Sequence, residues 1–95
     1  MKREEVLETI AANETLEGLD LSHAFFGEFD VSEAVFSQAT LLNSIFTNAK
    51  CIAANFTNAK CPYANFTGAN LYGAKIHRIM EDHTNWDRAN KLLIQ

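Results

Sequence analysis

From Leu16 to Ile76 every fifth residue is apolar without a break: Leu16, Leu21, Phe26, Val31, Phe36, Leu41, Phe46, Cys51, Phe56, Cys61, Phe66, Leu71 and Ile76. A five-residue period fits neither the 3.6-residue turn of a helix nor the two-residue alternation of a strand, and either would scatter these side chains over both faces. A solenoid built from five-residue units resolves that conflict. A second position repeats in phase, two residues before the first: Ala24, Ala34, Ala39, Ala49, Ala54, Ala59, Ala64, Ala69 and Ala74, with Ser44 in the same place. The residues between these two positions, and just after them, are mostly polar.

The unit reads Ala-Asn-Leu/Phe-polar-polar, as in Ala54-Asn55-Phe56-Thr57-Asn58, Ala64-Asn65-Phe66-Thr67-Gly68 and Ala69-Asn70-Leu71-Tyr72-Gly73. It resembles the pentapeptide-repeat family, strongly over residues 14 to 78 and weakly over 79 to 93. The resemblance implies an all-β fold, a right-handed quadrilateral β-helix of about four coils in which residues twenty apart stack. One inward column is then Phe26, Phe46, Phe66 and Trp86, which carries the aromatic series past the recognisable repeats. The others read Leu16-Phe36-Phe56-Ile76, Leu21-Leu41-Cys61-Glu81 and Val31-Cys51-Leu71-Lys91. Alanine fills the narrower inward corners, where a larger group overpacks the interior. Its large exceptions, Leu19 and Phe29, fall in the first coil and protrude from an end that the N-terminal segment can cover.

Residues 1–13 do not repeat; Val6, Leu7, Ile10 and Ala11 recur at helical spacing, with Glu4 and Glu5 early, where the helix dipole favours acids. They predict a short capping α-helix, followed by a β-solenoid over 14–95, one domain in all. No uninterrupted apolar run suits a signal peptide or a membrane helix, so a soluble, cytoplasmic chain without membrane contact is expected.

Chemistry is sparse. Cys51 and Cys61 are both in inward phase, on opposite walls, too far apart for a disulfide and read as small buried hydrophobes. His23, His77 and His83 fall at outward positions without metal-ligand spacing, so neither a metal nor a cofactor is expected. Gly18, Gly27, Gly68 and Gly73 read as corner residues, not as a phosphate loop. Asp20, Glu28, Asp30 and Glu33 lie on a convex, solvated exterior that does not support acid-base catalysis, and no enzyme is expected.

The family also implies a sharper possibility, since some members resemble B-form DNA and bind type II topoisomerases such as DNA gyrase. The net charge of −4 agrees with this, but its distribution does not. Residues 14–33 hold Glu14, Glu17, Asp20, Glu28, Asp30 and Glu33 with no Lys or Arg, a net of −6, whereas each later coil nets +1. Four coils at about 4.8 Å each rise only about 19 Å, fewer than six base pairs of duplex. No direct nucleic-acid binding is expected.

Deviations from the repeat carry what functional signal there is. Phe25, Val35 and Ile45 stand where the family usually has Asn or Asp; Leu42, Ile52 and Tyr72 stand where it has Ser or Thr. Phe25 and Ile45 share a column with Leu42 just around a corner, making these three the candidate lateral patch for a protein partner. At the C-terminal end Ile79, Met80, Trp86, Leu92, Leu93 and Ile94 supply apolar surface, while Glu81 and Lys91 occupy inward phases. Either the last residues loosen or turn helical to cover this end, or two copies cover each other in an end-to-end homodimer. The helix and first coil, from Arg3-Glu4-Glu5-Val6-Leu7 to Gly18-Leu19-Asp20-Leu21-Ser22, are similar to the opening of pentapeptide modules encoded with bacterial type VI secretion systems. That similarity implies a secretion accessory or adaptor, and the expected role is a non-catalytic protein-interaction scaffold.

Overall fold

The structure, a computed structural model, describes residues 3–95, so the first two residues of the expected cap lie outside the described residues. One helix, α1 (Arg3–Ala11), opens the chain with Glu4 and Glu5 in its first turn. It closes in a Schellman arrangement: the Glu14 amide donates to the Thr9 carbonyl and the Asn13 amide to that of Ile10, both at 3.0 Å, with Asn13 left-handed at φ 59°. Val6 is fully buried, and Ile10 packs partly buried against the core. Leu7 is half-buried, but Ala11 is exposed, so the apolar stripe is narrower than its sequence spacing suggests.

Everything after α1 repeats in fives. Left-handed residues recur at every fifth position from Asn13 to Leu93, with φ between 57° and 73°. Each is the third residue of a four-residue turn, and closing bonds such as Ala24 amide to Leu21 carbonyl (3.1 Å) draw the backbone through a corner. Only Gly18, Gly68 and Gly73 are glycines there; elsewhere Asn, Gln, His, Arg and others accept the strain because stacked neighbours fix the corner.

Four corners make a coil, and successive coils are joined by parallel bridges between residues twenty apart, from Asp20–Thr40 to Asn70–Asn90. We number the walls by their first-coil residue: first around Leu21, second around Phe26, third around Val31 and fourth around Leu16.

Inside, size is partitioned between the two pairs of opposite walls. On the second wall Phe26, Phe46, Phe66 and Trp86 stack at centroid spacings of 4.6–4.8 Å. On the fourth, Phe36 stacks on Phe56 at 4.9 Å. The two ladders meet edge to face across the interior at 5.5–5.8 Å, an arrangement that suits the ring quadrupoles. Aromatics meeting from two walls leave room only for smaller groups on the other two, and Leu21, Leu41, Cys61, Val31, Cys51 and Leu71 occupy them. Ser44 fits its alanine corner because its hydroxyl donates to the Leu41 carbonyl at 2.8 Å.

The last coil neither frays nor turns helical. Met80, Asn85 and Asn90 bridge to the coil before, and the Gln95 amide still donates to the Ala74 carbonyl at 2.9 Å. Ile76, Ile79, Trp86, Ala89 and Ile94 remain partly buried against the core. Lys91 sets its Nζ 5.1 Å from the Trp86 ring centroid, capping the aromatic ladder with a cation.

Candidate protein-binding walls

The column preceding each inward residue has a defined structural use. At seven positions, Asp20, Asp30, Asn55, Asn65, Asn70, Asn85 and Asn90, a side-chain Oδ1 accepts the backbone amide two residues on, at 2.9–3.1 Å. This local bond anchors the polypeptide as it enters the corner. It also draws both aspartates below the usual carboxylate range: the Ser22 hydroxyl and then its amide act on Asp20, the Ser32 amide and then its hydroxyl on Asp30. Phe25, Val35 and Ile45 occupy the same column and carry no acceptor, so the repeat forgoes its anchoring bond where these side chains stand.

Phe25 and Ile45 are bridged neighbours on the second wall, exposed at 48% and 37%. Leu42 lies across the corner at Asn43 and is half-buried, so it flanks the pair instead of standing clear of the surface. Gly27 is the second residue of the Phe26–Phe29 corner turn and not its left-handed third, and a Cβ there would meet Cζ of Phe25 at 2.6 Å. Its missing side chain gives the Phe25 ring a seat, and that ring also meets Phe29 edge to face at 6.4 Å.

The third wall carries a second apolar strip. Ile52, Tyr72 and Leu92 share one outward column, and Ala53, Gly73 and Leu93 line the corner column beside it. Among the described residues, half of the eight exposed large hydrophobic side chains thus lie on one wall: Ile52, Tyr72, Leu92 and Leu93. The structure accordingly divides the set expected at the C-terminal end. Ile79, Trp86 and Ile94 pack towards the interior, whereas Met80 faces outward on the first wall and Leu92 and Leu93 face outward on the third. A step of twenty from Ile52 and Tyr72 reaches Leu92, so the strip could have been found in the sequence had outward columns been traced like inward ones.

Cys51 and Cys61 are free and buried, and burial pushes each thiol up to about 12, with Asp30 and Glu81 adding smaller contributions in the same direction. Among the described residues no cluster of His, Cys, Asp or Glu could hold a metal ion, and no helix is long and apolar enough to cross a membrane. A cleft of about 100 Å³, lined by Ile10, Asn13, Glu14, Ser32, Glu33, Ala34 and Val35, lies beside the end of α1. It is well below the several hundred Å³ that a small-molecule site usually encloses.

A family model for pentapeptide repeats matches residues 16–50 and 49–79 in eight copies. No curated protein sequence matches the chain. Among solved structures, the fold is similar to that of alr5209, a pentapeptide repeat protein from Nostoc PCC 7120, with a TM-score of 0.80, 20% identity, and coverage of 94% of this chain and 74% of that one. HetL, a pentapeptide repeat protein involved in heterocyst differentiation regulation in Nostoc sp. strain PCC 7120, gives a TM-score of 0.47 at 19% identity, over 83% of this chain and 36% of its own. The shared architecture with alr5209 is the right-handed quadrilateral β-helix.

Proposed function

As the chain belongs to the pentapeptide-repeat family, whose fold is commonly non-catalytic, we propose that it is a protein-interaction scaffold whose partner docks on the second wall. The observation that carries this reading is the bridged, exposed pair Phe25 and Ile45, flanked by Leu42. Those two positions give up the side-chain bond that seven equivalent positions make. Adjacent exposed apolar side chains that cost the fold a local bond are better explained by a contact than by packing.

The test is affinity capture from the source organism's lysate with wild-type and Ile45→Asp baits. Ile45 is exposed, so the variant should melt within a few degrees of wild type. The expected outcome is a protein retained by wild type and lost by the variant. Identical capture on both baits overturns the second wall as the interface.

An accessory role in a bacterial secretion system is the finer form of this proposal and rests on the helix-plus-first-coil opening. DNA mimicry towards a type II topoisomerase is not favoured. The acids collect on one coil, and the molecule measures 28 × 22 × 21 Å, too squat to offer a duplex-like rod of charge.

A further inference from the structure

We propose that the third wall is a self-association surface, through which two copies pair face to face about a two-fold axis that lies in the plane between the walls, perpendicular to the solenoid axis at the level of Tyr72. The strip is suited to its own copy. Ile52, Tyr72 and Leu92 rise one coil at a time, so a two-fold axis at the third coil sets two such ladders antiparallel in matching steps. Tyr72 then lies beside the partner's Tyr72, and Ile52 beside the partner's Leu92. The neighbouring column is small at Ala53 and Gly73, and a Cβ built on Gly73 meets nothing within 4 Å, which leaves open space for the opposing side chains. Lys50 and Lys91 are the charged side chains that the second to fourth coils place on this wall, and Lys91 turns its Nζ over the Trp86 ring at the open end, so pairing desolvates little charge.

Charge selects the antiparallel sense. The first coil puts Asp30 and Glu33 on this wall, and residues 14–33 net −6. In the fourth coil Arg88 stands at the edge of the wall and Lys91 closes its end. A two-fold pairing carries each acidic first coil past the partner's fourth coil, towards those cations. A parallel pairing would instead set the two acidic coils side by side.

With the axis at the third coil, three of the four coils on each wall overlap, so face-to-face contact over about 14 × 20 Å buries on the order of 600 Å² in total, below the range of stable complexes. The association is therefore concentration-dependent, not obligate.

Sedimentation equilibrium on the full chain, from about 10 μM to about 1 mM, tests this. The wild-type average mass should rise from 10.6 kDa towards twice that value. Tyr72→Asp and, independently, Leu92→Asp should each weaken association by about tenfold or more. Ile45→Asp, on the second wall, should associate like wild type, so that loss of the partner and loss of self-association are separable. Circular dichroism confirms that each variant is folded, and two variants guard against a failure of either. A wild type that stays at 10.6 kDa throughout overturns the proposal. So does association that survives both third-wall substitutions, which would place the contact elsewhere, as at the Trp86 end.

Discussion

Cys51 and Cys61 show how a residue's chemistry follows from its place in the period. Facing ladders of phenylalanine leave space for only small groups on the remaining walls, so the thiols are buried and neutral. Burial holds each folded thiol up to about 12 against 9.0 for an ordinary thiol, so the folded chain keeps protons that the unfolded chain releases. Their contribution to stability is therefore intact below pH 9 and is lost as pH rises from about 9 to about 12. The urea midpoint should fall across that window, and the fall should be shallower in a Cys51→Ala/Cys61→Ala double variant; parallel curves would show that other groups control it. The inward phase of both residues was legible in the sequence. The use of Gly27 was not, because nothing in a list of glycines separates a left-handed corner position from a seat for the Phe25 ring.

At the scale of elements, the two ends are closed by different means. α1 covers the first coil with Val6, which is fully buried, and its Schellman turn delivers the chain into the first left-handed corner at Asn13. A carboxylate at that site would be desolvated against apolar neighbours. Val6→Asp should cost about 2–4 kcal/mol and should raise amide exchange first in residues of the opening coil, measured by hydrogen exchange. Uniform loss of protection along the chain would show that the helix is integral to the whole fold and not a cap. The capping helix could be read from the spacing of Val6, Leu7 and Ile10, although Ala11 proved exposed. The opposite end could not be read. Glu81 and Lys91 in inward phase suggested a loosening coil, whereas bridges to the preceding coil hold the backbone in register and Lys91 covers Trp86 from outside.

For the molecule as a whole, the period explains the scaffold so fully that functional information is confined to departures from it. Tracing inward columns by steps of twenty recovered the core, including Trp86 stacked on Phe66 at 4.6 Å. The third-wall strip stayed hidden because its members break the repeat individually but align only when outward columns are followed in the same way. This one-dimensional order also sets where stability resides, since each coil contacts only its neighbours. Phe46 is stacked between Phe26 at 4.8 Å and Phe66 at 4.7 Å and meets two more rings edge to face, so its loss leaves a cavity bounded on every side. Trp86 is stacked on one side only and sits at the end of the same ladder. Phe46→Ala should therefore destabilise the entire chain by about 3–5 kcal/mol, whereas Trp86→Ala should unravel mainly the fourth coil. Denaturant unfolding followed by residue-resolved hydrogen exchange separates the two outcomes. Equal global destabilisation by both variants would mean that the four coils unfold as a single unit, with no gradient from interior to end.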